Sequence, residues 1–263
     1  MTLAILDGVL MDAAQAQIPV TDEGLLRGDG VFEVVRLYGG RPFGLDEHLQ
    51  RMARSAAALR LALDLDAVRA DVAAILAGAD PADGSLRVLV TRGGRRIALV
   101  EPLKELPDAL ALATITYSPT RILDGVKSLS YAANMLASRL ARETGADEAL
   151  LVTPHGRVLE APTTSFVYVL GAKLYTPPLS DRILDSITRR VLFAVTDVQE
   201  RVTTLDDLRA LEEAFLASSV REVHPVHAID GEPIDGTPGP VTAVAAERVR
   251  EHIAAELARQ DVT

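Results

Sequence analysis

Apolar positions in the first half of the chain recur at two spacings, and each change of spacing marks an element. Residues 3 to 6 and 9 to 11 are apolar runs around Asp7-Gly8, a two-residue turn signal, which predicts an opening hairpin. A Val- and Phe-rich run through Val31, Phe32 and Val35 turns at Gly39-Gly40 and returns through Phe43, predicting a second hairpin. Over residues 46 to 61 the spacing becomes that of a helix with Asp46 placed to cap it, and residues 65 to 77 repeat the pattern. Residues 85 to 91 and 109 to 117 read as strands around a basic loop, Gly93-Gly94-Arg95-Arg96, expected to be flexible.

Beyond residue 125 the pattern predicts a helix over 132 to 144 stopped by Gly145. Strands follow at 148 to 152 and 157 to 160, turned at His155-Gly156, and then at 164 to 169 and 173 to 175. A helix opens at Ile187-Thr188, 198 to 202 is a strand, and 205 to 211 is a short helix. Strands at 214 to 217 and 222 to 229 and an amphipathic helix over 241 to 257 close the chain. The class is α+β without internal repeats. Its expected division is a smaller N-terminal domain over 1–117, a polar linker over 118–125 carrying Pro119, and a larger C-terminal domain over 126–263. Two such domains are expected to meet at a cleft, a common place for a ligand.

Composition narrows the function. The 263 residues are 48% hydrophobic and 24% charged, as in globular chains. A net charge of −10 and the absence of a basic stripe with interleaved aromatics argue against a nucleic-acid surface. Without cysteine there are no disulfides, no thiolate nucleophile and no thiolate metal site. His48, His155, His224, His227 and His252 are too dispersed for a metal centre, so no metal is expected. With no apolar run long enough to span a bilayer and no leader pattern, a cytoplasmic protein without a membrane partner is expected.

Lysine is scarce: among 27 Lys and Arg residues only Lys104, Lys127 and Lys173 are lysine. Lys104 falls in a polar loop and Lys173 in a hairpin turn, whereas Lys127 stands between an apolar approach and a helix start. There an amine can be held with its proton affinity lowered. The Ser186-Ile187-Thr188-Arg189 helix opening offers backbone N–H groups to an anion, Ser218-Ser219 offers hydroxyls, and Arg51 offers a cation. Each of these also has a purely structural reading, as cap or solvated charge. Glu160, before Ala161-Pro162-Thr163-Thr164-Ser165, serves either as an ion-pair partner in the fold or as the carboxylate that holds a proton on a ring nitrogen. Together they form the set that pyridoxal 5'-phosphate requires: an amine, an anion site and an acid group for the pyridine nitrogen.

Seven motifs in order carry a resemblance. Gly28-Asp29-Gly30-Val31-Phe32-Glu33-Val34-Val35-Arg36, Glu47-His48-Leu49-Gln50-Arg51-Met52, Val126-Lys127-Ser128-Leu129, Gly145-Ala-Asp-Glu-Ala-Leu150, Leu174-Tyr-Thr-Pro-Pro178, Ile187-Thr-Arg189 and Glu222-Val-His-Pro-Val226 resemble the class IV aminotransferases over roughly residues 4 to 242. That family contains D-amino-acid transaminases, branched-chain aminotransferases, (R)-amine transaminases and aminodeoxychorismate lyase. The resemblance implies a two-domain enzyme of fold type IV, usually a homodimer, working with pyridoxal 5'-phosphate on a small-molecule amino donor and a 2-oxo acid acceptor by ping-pong kinetics. It implies Lys127 as Schiff-base lysine and proton carrier, Glu160 at the pyridine nitrogen, and Arg51, Ile187, Thr188, Ser218 and Ser219 around the phosphate. By the same resemblance, Thr163 and Thr164 fall where family residues line the cofactor face. Tyr131 reaches the phenolic oxygen, one residue nearer the lysine than in branched-chain members.

Departures bear on the substrate. Ala161-Pro162 replaces the family's Gly before its Ser/Thr run, Asp185-Ser186 replaces Pro-Gly, and Val220 and Arg221 replace small residues. Candidates for the substrate carboxylate are Arg27, Arg36, Arg95 and Arg96, while Phe32 and Val34 line the substrate side. Phe32 stands where D-specific members often have Tyr, and Val34 where branched-chain members have Gly. The motif is nearer the D-specific pattern, so D-amino-acid transamination with (R)-amine side activity is expected. Branched-chain L-transamination, aminodeoxychorismate lyase and a cofactor-binding protein without turnover stand as the alternatives.

Overall fold

The structure, a computed structural model, describes residues 2–79, 82–118 and 120–260. It forms two compact units: Met1–Lys104 with Val126–Tyr131, and Glu105–Gly125 with Ala132–Thr263.

The first unit is a six-stranded antiparallel sheet with two long helices and a short one. Its elements are β1 (Leu3–Leu6), β2 (Val9–Asp12), α1 (Glu23–Arg27), β3 (Gly30–Tyr38), β4 (Arg41–Pro42), α2 (Leu45–Ala58), α3 (Leu65–Gly78), β5 (Gly84–Thr91) and β6 (Arg96–Glu101). The strands lie in the order β2-β1-β6-β5-β3-β4. Successive strand side chains point to opposite faces, so Val31, Val35 and Leu37 of β3 join Leu86, Val88 and Val90 of β5 on the face covered by Leu49, Met52 and Ala56 of α2 and Val72 and Ile75 of α3. Each of the Val, Leu, Ile and Met side chains among them contributes about 1.5–3 kcal/mol when taken from water.

Both predicted hairpins and both helices form, with two differences. The cap of α2 is Gly44 in the left-handed region, and Asp46 lies in the first turn, paired with Arg69 at 2.6 Å. The expected flexible basic loop is shorter than read: Arg96 already opens β6, whose alternation continues through Ile97, Ala98 and Leu99.

The second unit holds an eight-stranded mixed sheet. Its elements are β7 (Leu110–Thr116), α4 (Ala132–Glu143), β8 (Glu148–Val152), β9 (Ser165–Leu170), β10 (Lys173–Thr176), α5 (Ile187–Val195), β11 (Gln199–Glu200), β12 (Glu213–Ser218), β13 (Glu222–Ile229), β14 (Glu232–Pro233) and α6 (Pro240–Gln260). The order is β11-β10-β9-β12-β13-β7-β8, with β14 paired to β13. Strand β7 runs parallel to both β13 and β8, as strands linked by crossovers do. Helix α4 packs on β7 and β8, and α5 and α6 on β12 and β13. Of the expected linker, Arg121–Leu123 forms a single 3-10 turn, and Pro119 lies outside the described residues. The expected strand over 157 to 160 forms only isolated bridges, Arg157 to Thr204 and Val158 to Val152, while Leu159 and Glu160 exchange backbone hydrogen bonds with Leu151 and the chain then turns through Ala161 and Thr164. Likewise the expected helix over 205 to 211 is a 3-10 turn, Asp207–Ala210.

Among the described residues no helix is long and apolar enough to cross a membrane.

Candidate active site

In the first unit the segment carrying Lys127 lies along the start of β3. The Phe32 N–H donates to the Lys127 carbonyl at 3.2 Å, the Leu129 N–H to the Gly30 carbonyl at 2.9 Å, and the Lys127 N–H to the buried Ser55 hydroxyl on α2 at 3.1 Å. This approach explains the Gly-Asp-Gly motif. A Cβ on Gly30 would stand 2.5 Å from the Val90 carbonyl oxygen and 2.6 Å from Leu129, and Gly28, at φ +67°, is closed over by Ser130, whose hydroxyl donates to the Gly28 carbonyl at 3.1 Å.

The Lys127 side chain is half-buried, whereas Lys104 and Lys173 are exposed. Its Nζ lies 4.4 Å from the centre of the Phe32 ring and 5.9 Å from that of Tyr131. The two rings meet edge to face at 5.2 Å. Aromatic faces attract an ammonium group and fix where it sits. Val34 is half-buried and shares the Phe32 side of β3.

On the other face of the same strand Glu33 interrupts the apolar stripe, fully buried. It accepts Arg51 Nε at 2.7 Å and Nη2 at 2.7 Å, and pairs with His48 Nδ1 at 2.8 Å. Burial by itself raises a carboxyl; the Arg51 and His48 hydrogen bonds and charges outweigh it and hold Glu33 at about 2. Burial pushes His48 down, opposed by Glu33 and reinforced by the charges of Arg51 and Lys127. The cation of Arg51 is thus matched by a carboxylate inside the fold.

The arginine candidates have partners. Arg27, largely exposed, pairs with Glu23 at 2.6 Å. Arg36 lies 5.0 Å over the Tyr38 ring and 3.6 Å from Asp83. Arg95 meets Asp7 at 2.6 Å and Arg96 meets Asp71 at 2.8 Å.

In the second unit three chain ends converge. Ser165 opens β9, beside Ala217 near the end of β12, and its hydroxyl is 3.0 Å from that of Ser186. Ser186 caps α5 by accepting the Arg189 N–H at 3.0 Å, which leaves Ile187 and Thr188 in the first turn, where backbone N–H groups and the helix dipole favour an anion. Ser218, at the end of β12, accepts the Arg221 N–H at 3.2 Å, with Ser219 next in the turn. Glu160 is half-buried, accepts the Leu184 N–H at 3.0 Å, and adds its charge to the burial that raises the Tyr117 phenol. Thr163 is exposed, and Thr164 is buried with its hydroxyl lacking a hydrogen-bond partner among the described residues.

Glu33, His48, Ser55 and Ser165 were not singled out from the sequence. Glu33 was detectable in principle as a charge in phase with Val31 and Val35, facing a helix that offers His48, Arg51 and Ser55 at helical spacing.

The family described as Amino-transferase class IV matches residues 30–229. A D-alanine aminotransferase of Bacillus licheniformis is 32% identical, covering 97% of this chain and 98% of its own. A hypothetical aminotransferase from Mycobacterium tuberculosis, in its PLP-bound form, superposes with TM-score 0.87 at 28% identity over 97% of this chain and 99% of that one. The same protein bound to alpha-ketoglutarate and PMP gives 0.86 at the same identity and coverage. A branched-chain aminotransferase from Thermoproteus uzoniensis, with norvaline, gives TM-score 0.86 at 26% identity, covering 95% of this chain and 94% of that one. The chain belongs to the class IV aminotransferases, pyridoxal-phosphate-dependent enzymes of fold type IV.

Proposed function

We propose that the chain moves amino groups from D-amino acids to 2-oxo acids by ping-pong kinetics, with side activity on (R)-amines, as a cytoplasmic homodimer. The observation that carries the reading is Lys127: a half-buried amine against Phe32 and Tyr131, on a segment tied to β3 and α2. The D-alanine aminotransferase relative and the side chain of Val34, at the position where branched-chain members have Gly, support the handedness. The M. tuberculosis structure with alpha-ketoglutarate supports a 2-oxo acid acceptor. Exposed Leu25 and Leu26 on α1 support association with a second copy.

The donor set fits pyridoxal phosphate. A helix N-terminus with hydroxyls at Thr188, Ser218 and Ser219 suits a phosphate. Arg51, a phosphate candidate by the resemblance, would offer hydrogen-bond geometry more than net charge, since Glu33 neutralises it. Glu160 suits a protonated pyridine nitrogen, Tyr131 the phenolic oxygen, and Thr163 and Thr164 the ring face. When bound, the cofactor supplies an electron-poor ring that draws off negative charge from the substrate's α-carbon. Lys127 would hold the cofactor, and its Nζ is the group that would take the α-proton of the amino donor and return it. Glu160 would keep a proton on the ring nitrogen. Phe32 and Val34 shape the substrate side, and one of Arg27, Arg36, Arg95 and Arg96 takes the substrate carboxylate.

The T. uzoniensis structure favours a second reading, branched-chain L-transamination. Mixing the purified yellow protein with D- and L-amino acids and (R)-amines separates the two. Loss of the yellow absorbance with D-alanine supports the proposal, loss with L-leucine alone selects the second reading, and no loss with any donor sinks both.

A further inference from the structure

The turn between β12 and β13 carries an arginine where the resembled family has a small residue, and a buried carboxylate holds it. Glu148, the first residue of β8, accepts the Ser138 hydroxyl of α4 at 2.7 Å and the Ala149 N–H at 3.2 Å on Oε1. Its Oε2 accepts Arg221 Nη2 at 2.9 Å. The Arg221 N–H in turn donates to the Ser218 hydroxyl oxygen, and Ser218 pairs with Glu222 across the turn. One side chain thereby fastens Ser219-Val220-Arg221 to β8 and α4.

This is no solvated surface pair. The Glu148 side chain is 4% exposed and that of Arg221 17%. Arg221 Nη1 is buried with no hydrogen-bond partner among the described residues, so Glu148 is the group that sets where the guanidinium lies. Removing either partner alone leaves a desolvated charge. An anchor built into the fold leaves less of the turn to be ordered on binding, which favours affinity. Because the Ser218 oxygen already accepts an N–H, its own O–H is directed away from Arg221 and is available to donate.

We propose that Arg221 is a positioning residue for the cofactor phosphate: it fixes the 218–221 turn through Glu148, so that the Ser218 and Ser219 hydroxyls are presented in a preset geometry. The inference rests on reading those two serines as phosphate ligands. It is tested with the full chain freed of cofactor, by titrating pyridoxal phosphate and pyridoxal, which lacks the phosphate, and following absorbance. Arg221→Met is expected to weaken pyridoxal phosphate about tenfold and to leave pyridoxal unchanged, with Arg221→Lys recovering much of the difference. Should Arg221→Met fail to fold, the pair Glu148→Gln with Arg221→Met removes both charges and is expected to show the same selective loss. Ser219→Ala separates the two levels. If it lowers the ratio of the two affinities while the Arg221 variants do not, the positioning role is wrong and the serine reading stands. If Ser219→Ala leaves the ratio unchanged, the serine reading fails and the inference with it.

Discussion

Glu33 and Arg51 form a two-bond ion pair inside the first unit, Nε to Oε1 and Nη2 to Oε2, both at 2.7 Å, with the carboxylate wholly out of contact with water. Such a pair adds little over an apolar pair of the same shape, but breaking it strands a charge. Glu33→Gln is expected to lower stability by on the order of 3–5 kcal/mol, read from urea unfolding, and Glu33→Leu with Arg51→Met to recover most of it. A Glu33→Gln variant as stable as the parent would refute the account.

The same cluster sets an acid limit. The folded Glu33 carboxyl lies at about 2 against an ordinary 4.5, so its contribution is complete above 4.5 and is lost as pH falls from there toward 2. His48, pushed down chiefly by burial, refuses a proton that the unfolded chain takes up below its ordinary 6.5. Its contribution therefore also holds at higher pH and is lost on acidification, beginning nearer neutrality. His224, lowered by burial and by Arg221, adds to that first step. Unfolding midpoints measured across this range should fall in two stages, and His48→Gln should shrink the first. A flat profile down to 4.5 would contradict the assignment.

Lys127→Ala should abolish the yellow absorbance and cut turnover at least about a thousandfold. Lys104→Ala and Lys173→Ala, at exposed positions, should change neither. Circular dichroism establishes that the Lys127 variant is folded. Full activity in it would end the proposed function.

How far these features were legible in the sequence follows from the range of the interactions. Hairpins at Asp7-Gly8 and Gly39-Gly40 and the helical spacing in α2 and α3 depend on neighbours, and they form as read. The scarcity of lysine pointed to Lys127 because it needed no partner to be noticed. That β7 would run parallel between β13 and β8 depends on partners that in β13 lie over a hundred positions away, beyond any local pattern. Glu33 was hidden for a related reason: a charge in an apolar stripe reads as a defect until His48 and Arg51 are seen opposite it. Arg95 and Arg96 read as loop because their aspartates, Asp7 and Asp71, lie 88 and 25 residues away.

Glu160→Gln isolates chemistry from structure. Glutamine keeps an oxygen able to accept the Leu184 N–H, so the thermal midpoint should stay close to that of the parent. It cannot hold a full positive charge on a ring nitrogen, and turnover should drop on the order of a hundredfold. Equal turnover in the two proteins would show that Glu160 serves the fold alone.

Arg95 and Arg96 differ in what each leaves behind. The Arg95 pair with Asp7 is partly exposed, with side chains 36% and 29% accessible, and such a pair contributes about 0–1 kcal/mol. Arg95 can exchange its aspartate for a substrate carboxylate at little expense. Asp71, the partner of Arg96, is 7% exposed, so Arg96→Met abandons a buried carboxylate and should lower stability by on the order of 3 kcal/mol. Arg95→Met should leave stability nearly unchanged while raising KM for amino acids about tenfold with kcat preserved. An (R)-amine has no carboxylate, so its KM should not move. If KM rises equally for both donors, Arg95 acts on the loop rather than on the substrate, and the carboxylate falls to Arg27, Arg36 or Arg96.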